Sequence, residues 1–184
     1  MILDLKYTHT DFNKDVLPFT RGGVFIDTSV MKIFIDGFIQ REFSKTVNKD
    51  FQSLLDLFEK LKLTKWDKLL ITPHIFTEIC RHLCYNEDRN KRLNFDKIIK
   101  SIIPILKEIQ EEKEITKNKI LNLIDLDKPV IELGDLSIFV AMDDRIENSL
   151  KSAILVKDYG FNKRYELHPN IMVIDYNKTI IDLS

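Results

Sequence analysis

The sequence predicts an α/β protein, a three-layer α/β/α sandwich around a short, mainly parallel central sheet. Two observations predict it. Four uninterrupted apolar runs, each a few residues long, read as strands buried on both faces, as strands of a parallel sheet are. Between them lie longer segments with helical apolar spacing, and strands alternating with helices build layered α/β architectures. The chain's 184 residues suit one compact domain, expected to span 1–184.

The first strand is expected at Gly23, Val24, Phe25 and Ile26. A helix from Thr28 to Gln40 follows the Asp27-Thr28-Ser29 start, and another runs from Phe51 to Leu63 with apolar spacing at Leu54, Leu55, Phe58 and Leu61. Lys68 to Ile71 forms the second strand. Thr72 then caps a helix that has Pro73 in its first turn and Ile75, Phe76, Ile79, Cys80 and Leu83 along its length. Residues 88 to 126 read as two or more helices broken near Pro104, a helical elaboration around 85–126. Gly134-Asp135 opens a helix carrying Ile138, Phe139, Ala141, Met142 and Ile146. Ala153 to Val156 and Ile171 to Ile174 supply the third and fourth strands.

Composition narrows the function. A formal charge of −1 leaves any nucleic acid to be met by a local patch, not by bulk charge. Five glycines in the whole chain leave no room for a Gly-rich phosphate loop. The opening residues lack the basic start and long apolar run of a signal peptide, and no stretch is long and apolar enough for a membrane span. The expected location is cytoplasmic, with no membrane partner. Cys80 and Cys84, one helical turn apart, read as buried reduced thiols in preference to a disulfide or a CxxxC metal clip.

In an open parallel sheet, ligands bind beyond the carboxyl ends of the strands, near the switch in strand order. Asp27 follows the first strand, Glu78 lies in the opening turns of the helix after the second, and Asp158 follows the third. Asp135 starts the helix leading into that third strand, and the 127–134 stretch is expected to return the chain to the same edge. Singly, each acid has a plainer role: Asp27 and Asp135 as helix N-caps, Asp158 as a turn residue, Glu78 as a solvated position off the apolar stripe. Together they suit a hard divalent cation, Mg2+ or Mn2+, which takes carboxylate oxygens. Carboxylates gathered without a cation repel one another, so neutralising Asp27 is expected to relieve strain.

Four blocks carry a family resemblance. Val24-Phe25-Ile26-Asp27-Thr28-Ser29-Val30, Thr72 to Glu78, Leu133 to Ile138, and Ile154 to Phe161 resemble, in order, the conserved blocks of the PIN domains, the VapC-type and PilT N-terminus-like metal-dependent ribonucleases. The resemblance implies a PIN-like fold and a metal-dependent endoribonuclease acting on single-stranded RNA, often the toxin of a toxin–antitoxin pair. It places catalytic and metal-holding roles on Asp27, Glu78, Asp135 and Asp158, with Ser29 supporting the first acid through a hydrogen bond. An RNA substrate, an antitoxin protein and a homodimer are the partners it admits. Three departures set this chain apart: the added length at 85–126, Lys157 in the fourth block, and Phe139 with Val140 where small residues are common.

The expected chemistry is hydrolysis by a metal-activated water, with no covalent nucleophile. His9, His74, His82 and His168 fall in no Ser-His-Asp or HExxH pattern and read as surface or packing residues. Arg89, Lys91 and Arg92, followed by Lys97 and Lys100, form the densest basic segment, and Lys163-Arg164 lies just past the fourth acid. These are the candidate RNA contacts, although ordinary solvated helix faces explain them equally well. Tyr159 and Phe161 flank the same acid, Phe161 more in keeping with inward packing. Asp143 and Asp144 are expected to face solvent, and Asp175 to sit at the sheet edge, outside the site. The alternative function is a non-cleaving PIN-fold module that binds RNA or protein. A flap-type DNA nuclease is a weaker fit, since no added DNA-binding helical motif is found.

Overall fold

A computed structural model describes residues 12–44, 46, 48–63, 65–85, 92–112, 115–124, 132–157, 161, 164–165 and 167–181. The fold is α/β, with an all-parallel five-stranded sheet flanked by helices in a three-layer sandwich. The strands are β1 (Val24–Ile26), β2 (Leu69–Ile71), β3 (Gln110–Glu111), β4 (Ser152–Val156) and β5 (Ile171–Asp175), in the order β3-β2-β1-β4-β5. Every residue of β1, β2, β4 and β5 is buried. That is why their sequences are uninterrupted apolar runs: a strand covered on both faces has no solvent side to alternate with.

The helices among the described residues are α1 (Leu17–Thr20), α2 (Thr28–Ile39), α3 (Lys49–Lys60), α4 (Pro73–Tyr85), α5 (Arg92–Glu108), α6 (Lys117–Leu123), α7 (Leu133–Glu147) and α8 (Tyr176–Ile181). Their starts follow local chemistry. Asp27 caps α2 by accepting from the Val30 amide at 2.7 Å. Asn48 caps α3 through the Asp50 amide, and Thr72 caps α4 through the Ile75 amide. The α3 end is also chemical: Lys62 takes a left-handed conformation (φ 57°) and Leu63 donates back to the Phe58 carbonyl at 2.8 Å. Helices α2 and α3 pack closely, because a Cβ at Gly37 would lie 2.2 Å from the Phe51 side chain. Phe34, Phe51, Phe58 and Trp66 fill the layer beside that contact.

Two expectations for the 85–126 region are corrected. It is not purely helical, since Gln110–Glu111 adds a fifth strand that pairs in parallel with Leu70 and Ile71. Both β3 residues are polar and exposed at the sheet's edge, so they carry no apolar run to announce a strand. The helix also does not break at Pro104: α5 continues through it. Proline removes the hydrogen bond to the carbonyl four residues earlier. Here both Pro104 and Lys100 are exposed, so water can satisfy the freed carbonyl. No helix among the described residues is long and apolar enough to cross a membrane.

Strand order locates the crevice. The chain moves outward from β1 to β2 and β3, then returns to the other side of β1 for β4 and β5. The switch point therefore lies between the carboxyl ends of β1 and β4, where open parallel sheets place their ligands.

Candidate functional site

Asp27 stands at that switch point, directly after β1, and is only 3% exposed. Its Oδ1 accepts from the Val30 amide at 2.7 Å, and its Oδ2 accepts from the Lys157 amide at 3.1 Å, just past β4. One carboxylate thus caps a helix and ties the ends of two neighbouring strands. The bond to Asp27 comes from the Lys157 backbone N–H, so it makes no demand on the side chain at 157, which is exposed.

Glu78 comes to the same corner from α4. The solvated position expected for it is corrected. It is half-buried, and its Oε2 accepts from the Thr28 hydroxyl at 2.7 Å, which places it beside the first residue of α2. Its carboxylate also lies against the start of α7: a Cβ on Gly134 would come within 2.8 Å of Oε1. Glycine at 134 is what lets the helix and the carboxylate approach this closely. A buried hydroxyl pair, Thr72 with Ser137 at 2.6 Å, joins the starts of α4 and α7. The amino ends of α2, α4 and α7 therefore meet at one corner, and their partial positive charges favour anionic groups there.

Asp135 lies in the first turn of α7, half-buried, one residue after the glycine that seats Glu78. It does not cap the helix, for Glu132 occupies that position. Asp158 lies outside the described residues. Ser29 is exposed, and the hydroxyl that supports an acid at this corner is Thr28's. Sequence reasoning missed Thr28 and Gly134, although both stand next to predicted acids.

The donor set fits a hard cation in kind, since Asp27, Glu78 and Asp135 offer only oxygen. It does not yet form a cage. Among the described residues no three His, Cys, Asp or Glu side chains are grouped closely enough to hold a metal ion.

The basic candidates divide. Arg89, Lys91 and Lys163 lie outside the described residues, and Arg92 begins α5. Arg164 is exposed and reaches α7. Its guanidinium lies 4.5 Å from the Phe139 ring centroid and 3.0 Å from Asp143 Oδ2. The Tyr165 hydroxyl donates to Asp143 Oδ1 at 3.2 Å, and burial, then the Asp143 charge, pushes that phenol's pKa up. Phe161 is buried and packs on Phe139 with ring centroids 4.8 Å apart. The bulky Phe139 thus anchors the chain beyond β4 to α7. Asp143 and Asp144 do not simply face solvent, as Asp143 holds this cluster and Asp144 pairs with Lys119 at 2.6 Å. Asp175 caps α8 through the Lys178 amide, apart from the switch point. Cys80 is half-buried.

Compared with family models, with characterised proteins and with solved structures, the chain gives no match in any of the three.

Proposed function

We propose that this protein is a divalent-cation-dependent endoribonuclease of the PIN-domain type, cutting single-stranded RNA and acting as the toxin of a toxin–antitoxin pair. One observation carries the reading. Asp27 is buried at the topological switch point, and Glu78 is turned by Thr28 and Gly134 toward the same corner. Asp27 has structural work as a cap and strand tie, but the sheet needs no second carboxylate beside it. Mg2+ or Mn2+ bound at Asp27, Glu78, Asp135 and Asp158 would supply an activated water and neutralise charge on the cleaved phosphodiester.

The chain's own groups prepare that chemistry. Two backbone amides fix the plane of the Asp27 carboxylate, and the Thr28 hydroxyl fixes one oxygen of Glu78. The converging helix starts offset the acids' charge and draw a phosphate inward.

The alternative, a non-cleaving RNA- or protein-binding module, gains support from the same corner. Both Asp27 oxygens already accept amide hydrogens, and no group of three metal-competent side chains is assembled among the described residues. Incubation with labelled single-stranded RNA separates the two readings. Cleavage is expected in Mg2+ or Mn2+ and is expected to stop in chelator. RNA bound but uncut in both metals would favour the module, and full cutting after exhaustive chelation would remove the metal from the mechanism.

A further inference from the structure

On α4, His74, Glu78 and His82 are spaced four residues apart and so form one stripe along the helix. Two of the three show what that stripe faces. Glu78 accepts from Thr28, the first residue of α2, and His82 Nε2 lies 2.9 Å from Asp36 Oδ1, two turns further along α2. The stripe therefore follows α2 in the same direction. His74 stands one turn beyond the residue that already meets the start of α2. It lies in the first turn of α4, whose amino end is one of the three that meet at the Asp27 corner.

The two ring nitrogens of His74 differ. Nδ1 is buried and has no hydrogen-bond partner among the described residues, whereas the residue as a whole is partly exposed. Nε2 is thus the nitrogen on the open side. A buried N–H with no acceptor is rarer and costlier than a buried lone pair, which puts the proton of the neutral ring on Nε2. The ring presents a donor outward, at the edge of a corner where three helix starts already favour anions.

We propose that His74 is a substrate-contacting residue of this site, its Nε2–H donating to a phosphate oxygen of a bound RNA strand beside Glu78. The contact rests on the ribonuclease reading. It predicts a residue that holds the strand without touching the cation.

The test compares wild type, His74→Ala and His74→Gln by three measurements. These are the Kd for a short fluorescein-labelled single-stranded RNA in chelator, KM and kcat for its cleavage in Mg2+, and Tm. His74→Ala is expected to raise Kd and KM about tenfold, as loss of one hydrogen bond to a charged group does, with a smaller change in kcat. His74→Gln, whose amide N–H can also donate, is expected to recover most of that loss. Tm should stay near the wild-type value in both, because the buried Nδ1 has no bond to lose. A His74→Ala protein that binds and cuts RNA as wild type does overturns the contact alone. So does a rise in Kd matched by a large fall in Tm, the mark of a structural role. Wild type that neither binds nor cuts RNA overturns the ribonuclease reading and the contact with it.

Discussion

Asp27→Asn is expected to lower RNA cleavage by about a thousandfold or more, the several kcal/mol that a metal-ligating carboxylate contributes at a phosphodiester. The variant should still fold, but not at full stability. Both Asp27 oxygens accept backbone N–H groups in a buried position. Asparagine offers one oxygen and one NH2, so either the Val30 or the Lys157 amide loses its acceptor and meets a second donor instead. An unsatisfied buried amide costs about 1–3 kcal/mol, which at this chain length lowers Tm by a few degrees per kcal/mol. This reverses the expectation from sequence, in which charge relief would hold or raise Tm. Two of the groups that bond Asp27 in the fold are amide donors, which favour a carboxylate over an amide at this position. If Asp27 served only as a helix cap, the variant would cut RNA normally, because asparagine caps about as well. Thermal melts and one cleavage assay measure both effects.

Gly134→Ala is expected to separate activity from stability. The new Cβ would lie 2.8 Å from Glu78 Oε1 and 3.3 Å from its Cδ, closer than atoms settle without movement. The flexible end of Glu78 can yield, but only by leaving the Thr28 hydroxyl that holds it at 2.7 Å. Alanine also favours the helix over glycine by up to about 1 kcal/mol. Tm should therefore stay level or rise slightly. Cleavage should fall about 10–100-fold, as a catalytic group displaced by roughly 1 Å loses that much. Unchanged cleavage with unchanged Tm would mean that the position of Glu78 is immaterial to the reaction.

Much of this fold was legible because burial leaves a plain trace. Four strands lay within a residue or two of their apolar runs, since a strand covered on both faces is apolar at every position. β3 was illegible for the complementary reason: two exposed polar residues at an edge look like any loop. Pro104 misled because its penalty depends on whether the freed carbonyl can reach water, which exposure decides and sequence does not state. At the site, the positions of Asp27 and Glu78 past strand ends were readable, but what supports them was not. Whether Ser29 or Thr28 meets an acid depends on which way each side chain leaves the first turn of α2. The seat at Gly134 depends on how α7 crosses α4, a tertiary fact. The pairing of Arg164 was not readable either, because charge alone cannot reveal Asp143, 21 residues earlier in another element.

The central claim is that the corner at Asp27 holds a divalent cation. Calorimetric titration of Mn2+ into metal-free protein, wild type beside Asp27→Asn, tests it most directly, because it needs no RNA and no assumption about the substrate. Wild type is expected to bind Mn2+ saturably, and Asp27→Asn about tenfold or more weakly, since the charged oxygen ligand that a hard cation favours is lost. Wild type without saturable binding, or a variant that binds as tightly as wild type, would contradict the account.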